Sequence, residues 1–105
     1  MTHKAIELRA EILKALAQPT RLKILEFLRE GEKCVCEIYL AVNGEQSNIS
    51  KHLSIMQKAN LLTSRKDGIR VLFSVKYREV FDIMDMVNHL LRKYFKENVQ
   101  LMRTM

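Results

Sequence analysis

A chain of 105 residues, 48% of them apolar, has room for one small core and is too apolar to stay disordered. Lys and Arg number 18 against 12 Asp and Glu, and the net +6 points to an anionic partner, nucleic acid before a membrane surface. No apolar run approaches the roughly 18 residues of a bilayer span, and Glu7 and Glu11 among the first apolar positions argue against a secretory leader.

Helical spacing begins at once. Residues 4–17 place Ile6, Leu13 and Ala17, and beside them Leu8, Ile12 and Leu16, on one broad face. Gln18-Pro19-Thr20 breaks that helix, and proline suits the first turn of the next. Leu22, Ile24, Leu25, Phe27 and Leu28 predict a second amphipathic helix that stops at Gly31. A short third helix is expected over Val35 to Val42, closed by Asn43-Gly44. Gln46 to Ala59 predicts a fourth helix, with Ile49, Leu53 and Met56 inward and Gln46, Ser47, Asn48, Ser50, Lys51 and His52 outward.

The strand signal follows. Leu61 to Lys66, then Asp67-Gly68, then Ile69 to Val75 predicts a two-stranded hairpin over about 62–75, turning at Asp67-Gly68. A final helix is expected over about 78–98. Val80, Met84, Val87, Leu91 and Tyr94 form one stripe there, widened by Phe81, Ile83, Met86, Leu90 and Phe95. Such a surface exceeds what a small domain can cover by itself, so a homodimer through the two terminal helices, about 4–17 and 78–98, is expected.

This order is mainly α with a two-stranded β-hairpin wing: a winged helix-turn-helix, expected as a single DNA-binding domain over 1–105. The charge agrees with it. Lys51 to Arg78 holds seven basic residues and one acidic residue, a local net charge equal to that of the whole chain. The helix of residues 46–59 would enter a major groove with its short polar side chains. The wing would set Arg65, Lys66 and Arg70 beside phosphate. The expected partner is double-stranded DNA, with no membrane involved.

Three motifs in order carry a resemblance. Leu16-Ala17-Gln18-Pro19-Thr20-Arg21-Leu22-Lys23-Ile24-Leu25, Cys34-Val35-Cys36-Glu37-Ile38 and Gln46-Ser47-Asn48-Ile49-Ser50-Lys51-His52-Leu53 resemble, over residues 10–75, the ArsR/SmtB transcriptional repressors. The resemblance implies a dimeric winged-helix repressor that leaves its operator when an inducer, often a thiophilic metal or metalloid, binds. Arsenite sensors of one type carry a third Cys three residues after the pair, where this chain has Tyr39. Cadmium and lead sensors add N-terminal cysteines, and residues 1–33 contain none. The zinc site of other members is missing: with Asp82 aligned, Met84, Phe95 and Asn98 stand where its remaining ligands belong.

Cys34 and Cys36 therefore form the expected inducer site, for As(III) or another soft thiophilic ion. In the expected cytoplasmic setting both are thiols. Residues two apart on an α-helix point about 200° away from each other, so both sulfurs meet one ion only where the helix start is extended or frayed. The alternative is a repressor of the same fold that senses thiol oxidation or reactive sulfur through the same pair. A third reading has the fold binding DNA or protein with no small inducer, with the cysteines as small apolar packing groups. Asp82, Asp85 and His89, at i, i+3 and i+7, share a helical face that could take zinc or nickel, or could hold only a surface Asp85–His89 pair. No His accompanies a nucleophile, so nothing points to catalysis.

Overall fold

The computed structural model describes residues 2–104, apart from the side chains of 100–102 and 104. Helix α1 (His3–Leu16) starts where Thr2 Oγ1 accepts the Ala5 N–H at 3.2 Å. Helix α2 (Pro19–Leu28) starts where Gln18 Oε1 accepts the Arg21 N–H at 2.9 Å, with Pro19 in the first turn. Each side chain satisfies a donor that the first turn of a helix leaves orphaned. Strand β1 (Lys33–Cys34) leads directly into helix α3 (Val35–Val42), which ends on Asn43 at φ 55°. Helix α4 (Gln46–Lys58) is followed by Asn60 at φ 62°, and the chain reverses into strands β2 (Leu62–Asp67) and β3 (Arg70–Val75). Helix α5 (Glu79–Thr104) closes the fold.

Periodicity placed the core correctly. Ile24 and Leu25 of α2, Ile38 of α3, Ile49 and Met56 of α4 and Leu62 of β2 are the most deeply buried side chains. Val80, Phe81 and Met84 of α5 join the same cluster. Beyond Met84 the helix leaves the core. Its 26 residues run about 39 Å, and the radius of gyration is 16.7 Å, against about 13 Å for a compact chain of this length.

Two details of the wing differ from the sequence expectation. The sheet has three strands in the order β1-β3-β2, with Lys33 opposite Phe73 and Cys34 opposite Leu72. Two residues carry no alternation, so β1 left no periodic signal. The turn also falls one residue later than expected: Asp67 pairs with Arg70, leaving Gly68 and Ile69 as the loop. Gly68 alone takes positive φ, at 65°, as hairpin turns with glycine in the first central position require.

Candidate nucleic-acid interface and cysteine pair

The amphipathic stripe of α4 turns Ile49, Leu53 and Met56 inward, which leaves Gln46, Ser47, Asn48, Ser50 and Lys51 exposed on the opposite side. Ser50 is not free: its Oγ lies 2.6 Å from the Tyr39 hydroxyl, joining α3 to α4. Gln57 Nε2 donates to Ser64 Oγ at 2.9 Å and joins α4 to β2.

His52 corrects the sequence reading. It was expected on the outward face, and it is buried at 8% exposure. Its Nδ1 accepts a 3.0 Å hydrogen bond from Arg21 Nε, while Arg21 Nη1 donates to the Ala15 carbonyl at 3.2 Å. Burial, then the Arg21 charge, then that of Lys51 push the imidazole below its ordinary pKa. His52 thus anchors α4 to the α1–α2 junction in its neutral form. The signal was present in the sequence, because positions 49, 52, 53 and 56 are the i, i+3, i+4 and i+7 positions of one buried stripe.

The wing arginines are paired rather than bare. Arg65 Nη2 and Nε donate to the two carboxylate oxygens of Glu32 at 2.7 and 2.8 Å. This bond holds the Glu32 carboxyl below its usual pKa and raises that of Arg65. Arg70 Nη2 donates to Glu37 Oε1 at 3.2 Å. Lys66, between them in sequence, is exposed.

Cys34 is the N-cap of α3, with an extended backbone at φ −67° and ψ 146°. It is buried at 3% exposure, whereas Cys36 in the first turn is exposed. The Cys34 N–H donates to Glu37 Oε1 at 3.0 Å, and the Cys36 N–H donates to Cys34 Sγ at 3.3 Å. The sequence reading expected free thiols; the structure joins the two sulfurs in a disulfide, with Cα atoms 5.3 Å apart. The physical reason is the extended cap. Cys34 lies outside the helical path, so the divergence of i and i+2 side chains on a regular helix does not apply.

The other candidate cluster does not assemble. Asp85 turns to Arg29, with which it pairs at 3.0 Å. Among the described residues no group of three or more His, Cys, Asp or Glu side chains could hold a metal ion. No helix among the described residues is long and apolar enough to cross a membrane.

On α5, Met86, Val87, Leu90, Leu91, Tyr94 and Phe95 are 47–67% exposed. An apolar groove of about 480 Å³ runs between α1, α2 and α5, lined by Leu13, Leu16, Leu22, Ile83, Met84 and Val87.

A polar helix face flanked by a basic wing, on this element order, defines a winged helix-turn-helix DNA-binding regulator. Residues 18–64 match the family described as bacterial regulatory protein, arsR family. An uncharacterized HTH-type transcriptional regulator of Methanocaldococcus jannaschii is 40% identical over 82 residues, covering 77% of this chain and 92% of that one. The arsenical resistance operon repressor of Escherichia coli is 42% identical over 59 residues, 55% of this chain and 50% of its own length. The homodimeric winged helix-turn-helix domain of a possible ArsR-family regulator from Mycobacterium bovis shares the fold, with a TM-score of 0.79 at 24% identity over 90% of this chain and 87% of that one. This chain belongs to the arsR family of transcriptional repressors.

Proposed function

We propose that this repressor acts as a homodimer on a two-fold symmetric operator and releases it when a soft thiophilic ion, arsenite foremost, bridges reduced Cys34 and Cys36. Gln46, Ser47, Asn48 and Lys51 read or border the major groove, Ser50 orients the helix through Tyr39, and Lys66, Arg65 and Arg70 lie along the phosphates. His52 serves as the anchor behind that face. The observation that carries the inducer site is the extended cap, which lets two residues at i and i+2 turn their sulfurs onto one atom.

The chemistry follows from the donor set. Arsenous acid condenses with two thiols, two As–S bonds form and two hydroxides leave as water. Two thiolates favour soft ions over hard ones. Tyr39, one turn beyond Cys36, holds Ser50 and offers no soft donor. The third position on arsenic falls to hydroxide or to a small thiol such as glutathione.

Equilibrium dialysis of the reduced protein with arsenite tests this reading, alongside selection of binding sites from a random duplex library. One arsenic per protomer, lost in the Cys34→Ser/Cys36→Ser variant, and enrichment of an inverted repeat are the expected results. Arsenic retained by the double variant contradicts the site.

One observation also favours oxidation of the same pair as the signal: the sulfurs are joined, at a Cα separation that disulfides ordinarily span. Two thiols would give up two electrons and two protons to an oxidant such as hydrogen peroxide, which leaves as water. Peroxide-driven DNA release that dithiothreitol reverses, with no arsenic bound, would select this alternative.

A further inference from the structure

The cysteine pair lies between two carboxylates, and each carboxylate holds a wing arginine. Glu32 stands two residues before Cys34 and accepts from Nε and Nη2 of Arg65. Glu37 stands one residue after Cys36, and a single oxygen, Oε1, accepts from both the Cys34 N–H and Arg70 Nη2. Strand β1 further ties Cys34 to Leu72, two residues from Arg70 on β3. Backbone and side chain therefore connect the sulfur site to the wing.

We infer that Glu37, seconded by Glu32, is a positioning residue that withholds wing arginines from DNA phosphate, and that the cysteine pair sets how firmly it does so. An arginine whose guanidinium already donates to a carboxylate has fewer donors and less net charge to offer a phosphate. Both pairs are exposed, at 59% for Arg65 and 52% for Arg70, so exchange of carboxylate for phosphate carries little desolvation barrier. Bridging the sulfurs, by an arsenic atom or by a direct bond, fixes Cys34 as the extended cap. That cap aims its N–H at Glu37 Oε1 and keeps the same oxygen on Arg70. With the thiols unbridged, the cap is free to relax, Glu37 loosens and Arg70 becomes available. This coupling rests on the proposed function of the pair; the hold on Arg70 does not.

The test is a double-mutant cycle on DNA affinity, read by fluorescence anisotropy with a labelled mixed-sequence duplex, because phosphate contacts are independent of sequence. Glu37→Gln keeps an oxygen for the Cys34 N–H, and circular dichroism checks that the helices persist. With the Cys34 and Cys36 sulfurs joined, Glu37→Gln should bind several-fold more tightly than wild type at low salt, and the gain should be smaller once both proteins are reduced. The gain should shrink about threefold when salt rises fourfold, since each added phosphate contact adds a slope of about 0.9. In the Arg70→Ala background the same substitution should give no gain. An equal gain with and without Arg70 overturns the proposal, because only the general increase in positive charge would then be at work.

A second arm uses phenylarsine oxide, which condenses with two thiols to form two As–S bonds and lose its oxygen as water. It should weaken wild-type binding and weaken Glu37→Gln binding markedly less. Equal weakening of both overturns the coupling to the cysteines. A wild type that binds no duplex even at low salt refutes the proposed function along with this one, whereas a binding wild type with an unresponsive cycle refutes this proposal alone.

Discussion

Introducing a charge on the exposed stripe of α5 gives the most calculable consequence of the fold. Val80 and Met84 begin that stripe inside the protomer's own core, and Val87, Leu91 and Tyr94 continue it into water. Leu91 is 47% exposed and belongs to no core cluster, so Leu91→Glu leaves the protomer's packing intact. Roughly 80 Å² of this side chain remains to be covered, and at about 25 cal/mol per Å² covering it contributes about 2 kcal/mol. Two-fold symmetry doubles the loss to about 4 kcal/mol, or about three decades in the dimer dissociation constant. Burying an unpaired carboxylate adds to that. Sedimentation equilibrium should therefore find wild-type dimer at micromolar concentration and monomeric Leu91→Glu with an unchanged far-ultraviolet dichroism spectrum. A wild type that sediments as a monomer, or a variant whose dimer weakens less than about tenfold, would refute the assignment of α5 as the dimer surface.

Three further outcomes follow from the same packing. Because the His52 pKa is lowered in the folded chain, the stability it contributes is complete above the ordinary histidine value of about 6.5 and is lost as pH falls through the lower folded value. Melting curves of His52→Gln should consequently depend less on pH between about 7.5 and 5 than those of wild type; parallel slopes would contradict the neutral Arg21–His52 anchor. Ile38→Ala, at a fully buried position, should cost about 2–5 kcal/mol in urea unfolding, and a cost below about 1 would mean that α3 is not packed as described. Lys66→Ala should reduce the salt dependence of DNA binding by about one phosphate contact at every sequence, whereas Ser47→Ala with Asn48→Ala should erode discrimination between operator and random duplex. The converse pattern would exchange the roles assigned to wing and helix.

Much of this molecule was legible in its sequence because the elements are periodic and their ends are marked. Pro19, Asn43 and Gly68 stand where helices or strands must begin or stop, and the buried positions of α2 and α4 recur at helical spacing. What escaped depends on contacts distant in sequence. Strand β1 exists because Lys33 and Cys34 lie against Phe73 and Leu72, and two residues have no period of their own. The Glu32–Arg65 and Glu37–Arg70 pairs each span 33 residues, so the wing read as bare positive charge when two of its arginines are already engaged. Tyr39 was noted for the sulfur it lacks, while its hydroxyl bond to Ser50 came only with the packing of α3 beside α4. His52 is different: its place on the buried stripe was visible, and the preference of histidine for polar surroundings hid it.

The central claim is that sulfur chemistry at Cys34 and Cys36 governs the hold on DNA, and one titration addresses it directly. Reduced wild-type protein is bound to its library-selected operator, arsenite is added with glutathione present, and release is followed by anisotropy beside Cys34→Ser and Cys36→Ser. The account predicts release from wild type and none from either variant, with starting affinities within a few-fold of one another because neither residue lies on the outward face of α4. Release of both variants at the wild-type arsenite concentration would contradict it.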